Sequence, residues 1–148
     1  MKSATMIYNT PIEVGTRIAM ILNCLEGNSL DLDSLAFLDF VLIYSEEFEG
    51  PNNLHPTVPN YLAELPHKRA TLHKSLDLFT SRGLIDKVYN NNGITYQANK
   101  LTHEFVSCLK SDYYRLAWSN LIWIEDNFVE LKLKYNRNIN LVRGSDEY

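Results

Sequence analysis

Residues 35–44 read Leu-Ala-Phe-Leu-Asp-Phe-Val-Leu-Ile-Tyr, an unbroken apolar and aromatic run apart from one aspartate. At helical spacing such a run has no solvated face, and it falls well short of the roughly 20 apolar residues that cross a bilayer. It predicts a helix buried at the centre of a globular core. Asp31 or Asp33 can start that helix by accepting from the free amides of its first turn. Glu46, Glu47, Glu49 and Gly50-Pro51 end it. Asp39, the polar exception, is read as a carboxylate paired or hydrogen-bonded at a gap in the packing. No partner acid, base or metal ligand accompanies it, so it does not make an active site.

The flanking pattern is also helical. Thr10-Pro11-Ile12-Glu13 has the form of a capping box with proline at the first helical position. Val14, Ile18, Ile21, Leu22 and Leu25 then recur on one face, and Gly27 is placed to stop the helix. Gly15 falls on the same face, where the missing side chain would let a neighbouring helix approach closely. A third helix is expected over 67–82, with Leu72, Leu76 and Phe79 inward and Ser81-Arg82-Gly83 at its end. The β-prone runs 84–89 and 94–98 flank Asn90-Asn91-Asn92-Gly93 and predict a hairpin. A fourth helix is expected over 100–109. A fifth, capped by Ser111 or Asp112, should run to about Tyr135. Its core stripe is Tyr114, Ala117, Trp118, Leu121, Ile124, Phe128, Leu131 and Tyr135. The polar stretch 136–148 is expected to fray.

Between 49 and 66 the pattern breaks. Gly50-Pro51-Asn52-Asn53-Leu54-His55-Pro56-Thr57-Val58-Pro59-Asn60 predicts a long irregular loop, held in order by Leu54, Val58 and Tyr61. Loops of this length inside a compact domain are usually functional. The expected fold is therefore mainly α with a small β-hairpin, as one domain over 1–148. Three helices followed by a hairpin give a winged helix-turn-helix-like core over about 10–98, with C-terminal helices over about 99–135 and the tail beyond. The third helix would be the recognition-helix equivalent and 90–93 the tip of the wing. The long loop stands where that motif has a tight turn, which departs from the pattern.

Charge and candidate chemistry narrow the function. A net charge of −4 with 22% charged residues suits an ordinary globular chain and argues against a general nucleic-acid binder. Lys68, Arg69, His73 and Lys74, with His67 and Arg82, make the third helix locally basic, the best signal for DNA contact. At 100° per residue they scatter around the helix, Asp77 can pair with Lys74, and the wing tip carries no Lys or Arg. Any DNA contact through them is expected to be weak or indirect. His55, His67, His73 and His103 lack metal-ligand spacing, and no phosphate loop, nucleophile elbow or HExxH occurs, so neither an enzyme nor a cofactor is expected. Cys24 and Cys108 read as reduced thiols, and Met1-Lys2-Ser3-Ala4-Thr5-Met6 has no apolar h-region, so a cytoplasmic protein without a membrane span is expected. Leu116 and Trp123 fall on the polar side of the fifth helix, where they either pack under the tail or anchor a partner.

The ordered set Ile7-Tyr8-Asn9-Thr10-Pro11, Phe37-Leu38-Asp39-Phe40-Val41-Leu42-Ile43-Tyr44-Ser45, Gly50-Pro51, Leu54-His55-Pro56 and Pro59, Ser81-Arg82-Gly83-Leu84, Gly93-Ile94-Thr95-Tyr96 and Ala98 resembles the small middle component of three-component ABC-ATPase systems, the accessory subunit of Lamassu-type antiphage defence. The likeness runs from about residue 7 to 118. It implies a non-catalytic subunit joining a large SMC-like ATPase, which senses invading or aberrant DNA, to an effector that is often a nuclease. On that reading the partner-binding candidates are the loop at Leu54, His55 and Pro56 and the face bearing Leu116 and Trp123. The alternative is a free-standing winged-helix DNA-binding regulator.

Overall fold

Thr10 accepts from the Glu13 amide and Pro11 takes the first helical position, and from there α1 runs Pro11–Cys24. The computed structural model describes residues 10–59 and 61–137; Ile7-Tyr8-Asn9 of the first string of the resemblance, residues 1–6 and most of the polar tail lie outside them. α1 ends before Gly27, which sits in the turn that follows. Asp31 accepts from the Ser34 amide and starts α2, Leu32–Ile43, in which every residue from Leu35 onward is buried. A 3-10 turn, Ser45–Phe48, and Glu49 in the left-handed region (φ 65°) then turn the chain into the loop. α2 is thus the buried central helix that its apolar run predicts.

α3 spans Glu64–Ser81, entered through the 3-10 turn Tyr61–Ala63. It starts earlier than expected because a proline in the first turn gives up only an amide that lacks an intrahelical partner. Its end is a Schellman turn, with Leu84 N–H donating to Phe79 O and Gly83 N–H to Thr80 O. The hairpin follows, β1 Asp86–Asn90 against β2 Gly93–Gln97, paired antiparallel from Asp86↔Gln97 to Asn90↔Gly93. Leu30, in the link between α1 and α2, exchanges both backbone hydrogen bonds with Tyr96, at 2.9 and 2.8 Å, and so ties the hairpin to the helical body.

α4, Lys100–Ser107, opens on a capping box between Asn99 and Thr102. α5 runs Asp112–Asp126 and α6 Phe128–Arg137, so the single long helix expected to reach Tyr135 is in fact two. Asn127 makes the break. Its backbone leaves helical geometry (φ −116°, ψ 19°) while its side chain donates to Trp123 O at 2.9 Å. Asparagine competes for backbone groups in this way, and a sequence stripe that runs through it does not register the interruption.

α1, α2 and α3 pack on one another, α4 and α5 close over α1, and one apolar core runs through all five. Gly15 permits the α1–α3 contact: a Cβ there would lie 2.3 Å from the Phe79 ring. Among the described residues no helix is long and apolar enough to cross a membrane. One member of the expected α5 core stripe is misplaced. Trp118 is 43% exposed, because the buried face of α5 is centred on Ala117, Asn120, Leu121 and Ile124 and Trp118 falls to one side of it.

Candidate functional site

The core contains an ionic cluster. Arg17, with no exposed surface, donates Nε to Asp39 Oδ1 at 2.7 Å and Nη2 to Asp39 Oδ2 at 3.1 Å, a bidentate pair between α1 and α2. Lys68 from α3 adds its Nζ to Asp39 Oδ2 at 3.2 Å. Arg17 Nη1 also donates to the Tyr113 hydroxyl of α5 at 3.3 Å, and that hydroxyl lies 2.9 Å from His55 Nε2 in the loop. Arg17 can only donate, so the Tyr113 oxygen accepts from it, and the same hydroxyl shares a hydrogen bond with His55 Nε2. Four helices and the loop meet in one chain of hydrogen bonds.

Electrostatics follow from that geometry. Burial opposes the charge on Asp39, but Arg17 and Lys68 outweigh it and hold the carboxyl well below the usual carboxylate range. Burial likewise works against the Arg17 cation, and Asp39 more than compensates, raising it above its ordinary value. Lys68 is lowered, chiefly by burial. Burial, with Arg17 nearby, brings His55 down to about 4, and burial pushes Tyr113 up to about 12. A carboxylate so strongly held in its charged form is a poor proton acceptor at neutral pH. The cluster is built to hold elements together. A cleft of about 190 Å³ opens beside it, lined by Val14, Ala36, Glu64, His67 and Leu72 as well as Asp39 and Lys68.

The loop is laid along α5 and fastened at three points. Tyr113 holds His55; Asn120 Nδ2 donates to Asn52 O at 2.9 Å and to Leu42 O at 3.3 Å; and the Trp123 indole lies against Gly50, where a Cβ would come within 2.8 Å of the ring. The loop residues fall in the reverse order of their α5 partners, so the two segments run antiparallel. Tyr113, Leu116, Asn120 and Trp123 recur at the three-and-four spacing of a helix seam. Leu54 adds its N–H to Ile43 O at 2.8 Å and packs on the core. The loop's far side, Pro56, Thr57, Val58 and Pro59, is exposed, so Val58 does not tack it down as expected.

The structure thus brings together the two partner-binding candidates that the sequence leaves apart. His55 is 3% exposed and Trp123 half-buried, both beneath the surface, while Pro56 and Leu116 (38% exposed) reach it. The basic residues of α3 are not brought together. Lys68 turns inward to Asp39 and is 12% exposed, Arg69 pairs with Asp33 at 3.1 Å, and only His73 and Lys74 of the four stand exposed without such a pairing. Sequence reasoning missed Arg17. The signal was its position: three residues after Val14 and four before Ile21, on the apolar face of α1, it is the cation that an acid inside α2 requires.

Among the described residues no group of three or more His, Cys, Asp or Glu side chains converges on a possible metal position. No curated protein and no solved structure matches the chain. A family model does, over residues 7–139: ABC-three component (ABC-3C) system Middle Component 2. That span takes in every helix and both strands described above, and the chain belongs to the middle component 2 family of ABC-three component systems.

Proposed function

We propose that this chain is the non-catalytic accessory subunit that links an SMC-like ABC ATPase to an effector, often a nuclease, within a cytoplasmic antiphage or anti-plasmid defence complex of the Lamassu type. The observation that carries the reading is the family match along residues 7–139, since one component of a three-component system implies partnership with the others. The polar groups that could otherwise offer chemistry, Arg17, Asp39, Lys68, Tyr113 and His55, are bound to one another inside the fold, which suits a scaffold. The loop–α5 surface is the docking face for one partner. Pro56 and Leu116 touch that partner, and Leu54, His55 and Trp123 hold the surface from beneath. A prearranged proline-rich loop loses little entropy when it docks.

The test is reconstitution. With the ATPase and effector encoded alongside this chain co-expressed, a tag on one should recover the other only when the chain is present. Equal recovery in its absence would refute the linking role. The regulator reading rests on element order, on the Leu30–Tyr96 bridge that joins the hairpin to the first helical link, and on His73 and Lys74. The inward turn of Lys68 opposes it.

A further inference from the structure

α5 has a second exposed flank, turned well away from the loop. Trp118 and Ile122 stand one turn apart, 43% and 47% exposed, and Arg115 lies on the same side of the helix. Beside this ridge a groove of about 400 Å³ runs between α1, α4 and α5, with Met20, Val106 and Leu109 at its base and Tyr114 and Trp118 as walls. Its rim is polar. Of the residues lining it Arg115 carries the permanent charge, and no carboxylate lines it. Arg115 meets Asp112 at 3.9 Å, but both side chains are largely in solvent, where such a pair holds little. The chain as a whole carries a net charge of −4, so this cationic rim is a local departure.

We infer that the groove seats an amphipathic helix of one of the other two components, which buries a large apolar side chain against Trp118 and brings a carboxylate to Arg115. The inference rests on the linking role proposed above: a subunit that joins two proteins needs two separate faces, and the loop–α5 surface supplies one. Charge selects the occupant. An apolar groove with an arginine at its rim and no acid complements an apolar anchor flanked by Asp or Glu and disfavours a basic segment. Tryptophan, arginine, methionine and tyrosine together form the composition of an energetic centre in an interface, and laying a helix in a groove is a recurrent mode of recognition.

Two measurements on the full chain with its co-encoded ATPase and effector test this. In binding titrations, Trp118→Ala and Arg115→Glu should each weaken one component about tenfold or more and leave the other unchanged. Lys87→Glu, the same kind of charge change on β1, should leave both unchanged. Arg115→Glu alters an exposed side chain, so its result stands even if Trp118→Ala proves poorly folded. The second measurement places a photoreactive benzoylphenylalanine at Ile122. A crosslink to the same component, within a segment rich in Asp or Glu, supports the proposal. A crosslink to residues 1–9 of the same chain, a crosslink to a second copy, or no crosslink overturns it, as do variants that bind like the wild type. If the wild-type chain binds neither component, the linking role falls and the groove proposal with it; normal binding by the variants removes the groove alone.

Discussion

Asp39 ties α1, α2 and α3 together, because Arg17 and Lys68 are buried or nearly buried against it. Removing one member of such a cluster strands the opposite charge, which costs about 3–5 kcal/mol. Asp39→Asn should therefore lower the unfolding free energy measured by urea denaturation by that amount, while Arg17→Met combined with Asp39→Leu should lose less than either change alone. His55 gives a pH signature. Its ordinary value near 6.5 falls to about 4 in the fold, so the folded state binds fewer protons than the unfolded chain between those limits. The contribution is present above about pH 6.5 and is lost as pH drops toward 4, on the order of 3 kcal/mol in all. Asp39, also depressed, adds its loss only below about pH 4. His55→Gln, whose amide oxygen can accept from Tyr113 without titrating, should flatten urea midpoints between pH 6.5 and 4. The acid was legible in the sequence because it interrupts an apolar run. Its partners were not, since Arg17, Lys68, Tyr113 and His55 come from four separate segments and nothing local links them.

At the level of elements, packing decides. Leu42 of α2 is fully buried, and Leu42→Ala should cost about 2–5 kcal/mol through lost transfer and the cavity left behind. Gly15→Ala improves intrinsic helix propensity by about 1 kcal/mol, yet its methyl would meet the Phe79 ring at 2.3 Å. Overpacking of this kind costs about 1–3 kcal/mol, so a net fall in denaturation midpoint is expected. The close approach at Gly15, the buried α2 and the hairpin could all be read from periodicity and turn residues. The division between α5 and α6 could not, because one asparagine breaks the helix without breaking the apolar stripe. The exposure of Trp118 was hidden for a related reason. A stripe records which side chains are apolar, and the width of the face that neighbouring helices cover is set by those helices.

For the whole molecule, the arrangement of charge separates the two functional readings. With Lys68 turned inward and Arg69 paired, α3 offers the phosphate backbone only His67, His73 and Lys74, with Arg82 at its C-terminal cap. An anisotropy titration of the isolated chain against duplex DNA at physiological salt should give a Kd no tighter than about 10⁻⁶–10⁻⁴ M, with no sequence preference. Sequence-selective nanomolar binding abolished by Lys74→Ala would favour the regulator. The proposed docking surface was half legible: the loop stood out by its prolines, but the sequence could not tell that it is laid along α5 against Tyr113, Asn120 and Trp123. The buried cluster also bears on how the chain is made. Asp39 follows Arg17 off the ribosome by 22 residues, but Tyr113 follows Arg17 by 96. At about 5–20 residues per second, roughly 5–20 s of synthesis separate the two. During that interval α1 carries a cation that cannot yet be sealed away from water. Productive closure therefore waits for α5, and a nascent chain stalled before Tyr113 is expected to remain open to chaperones and proteases.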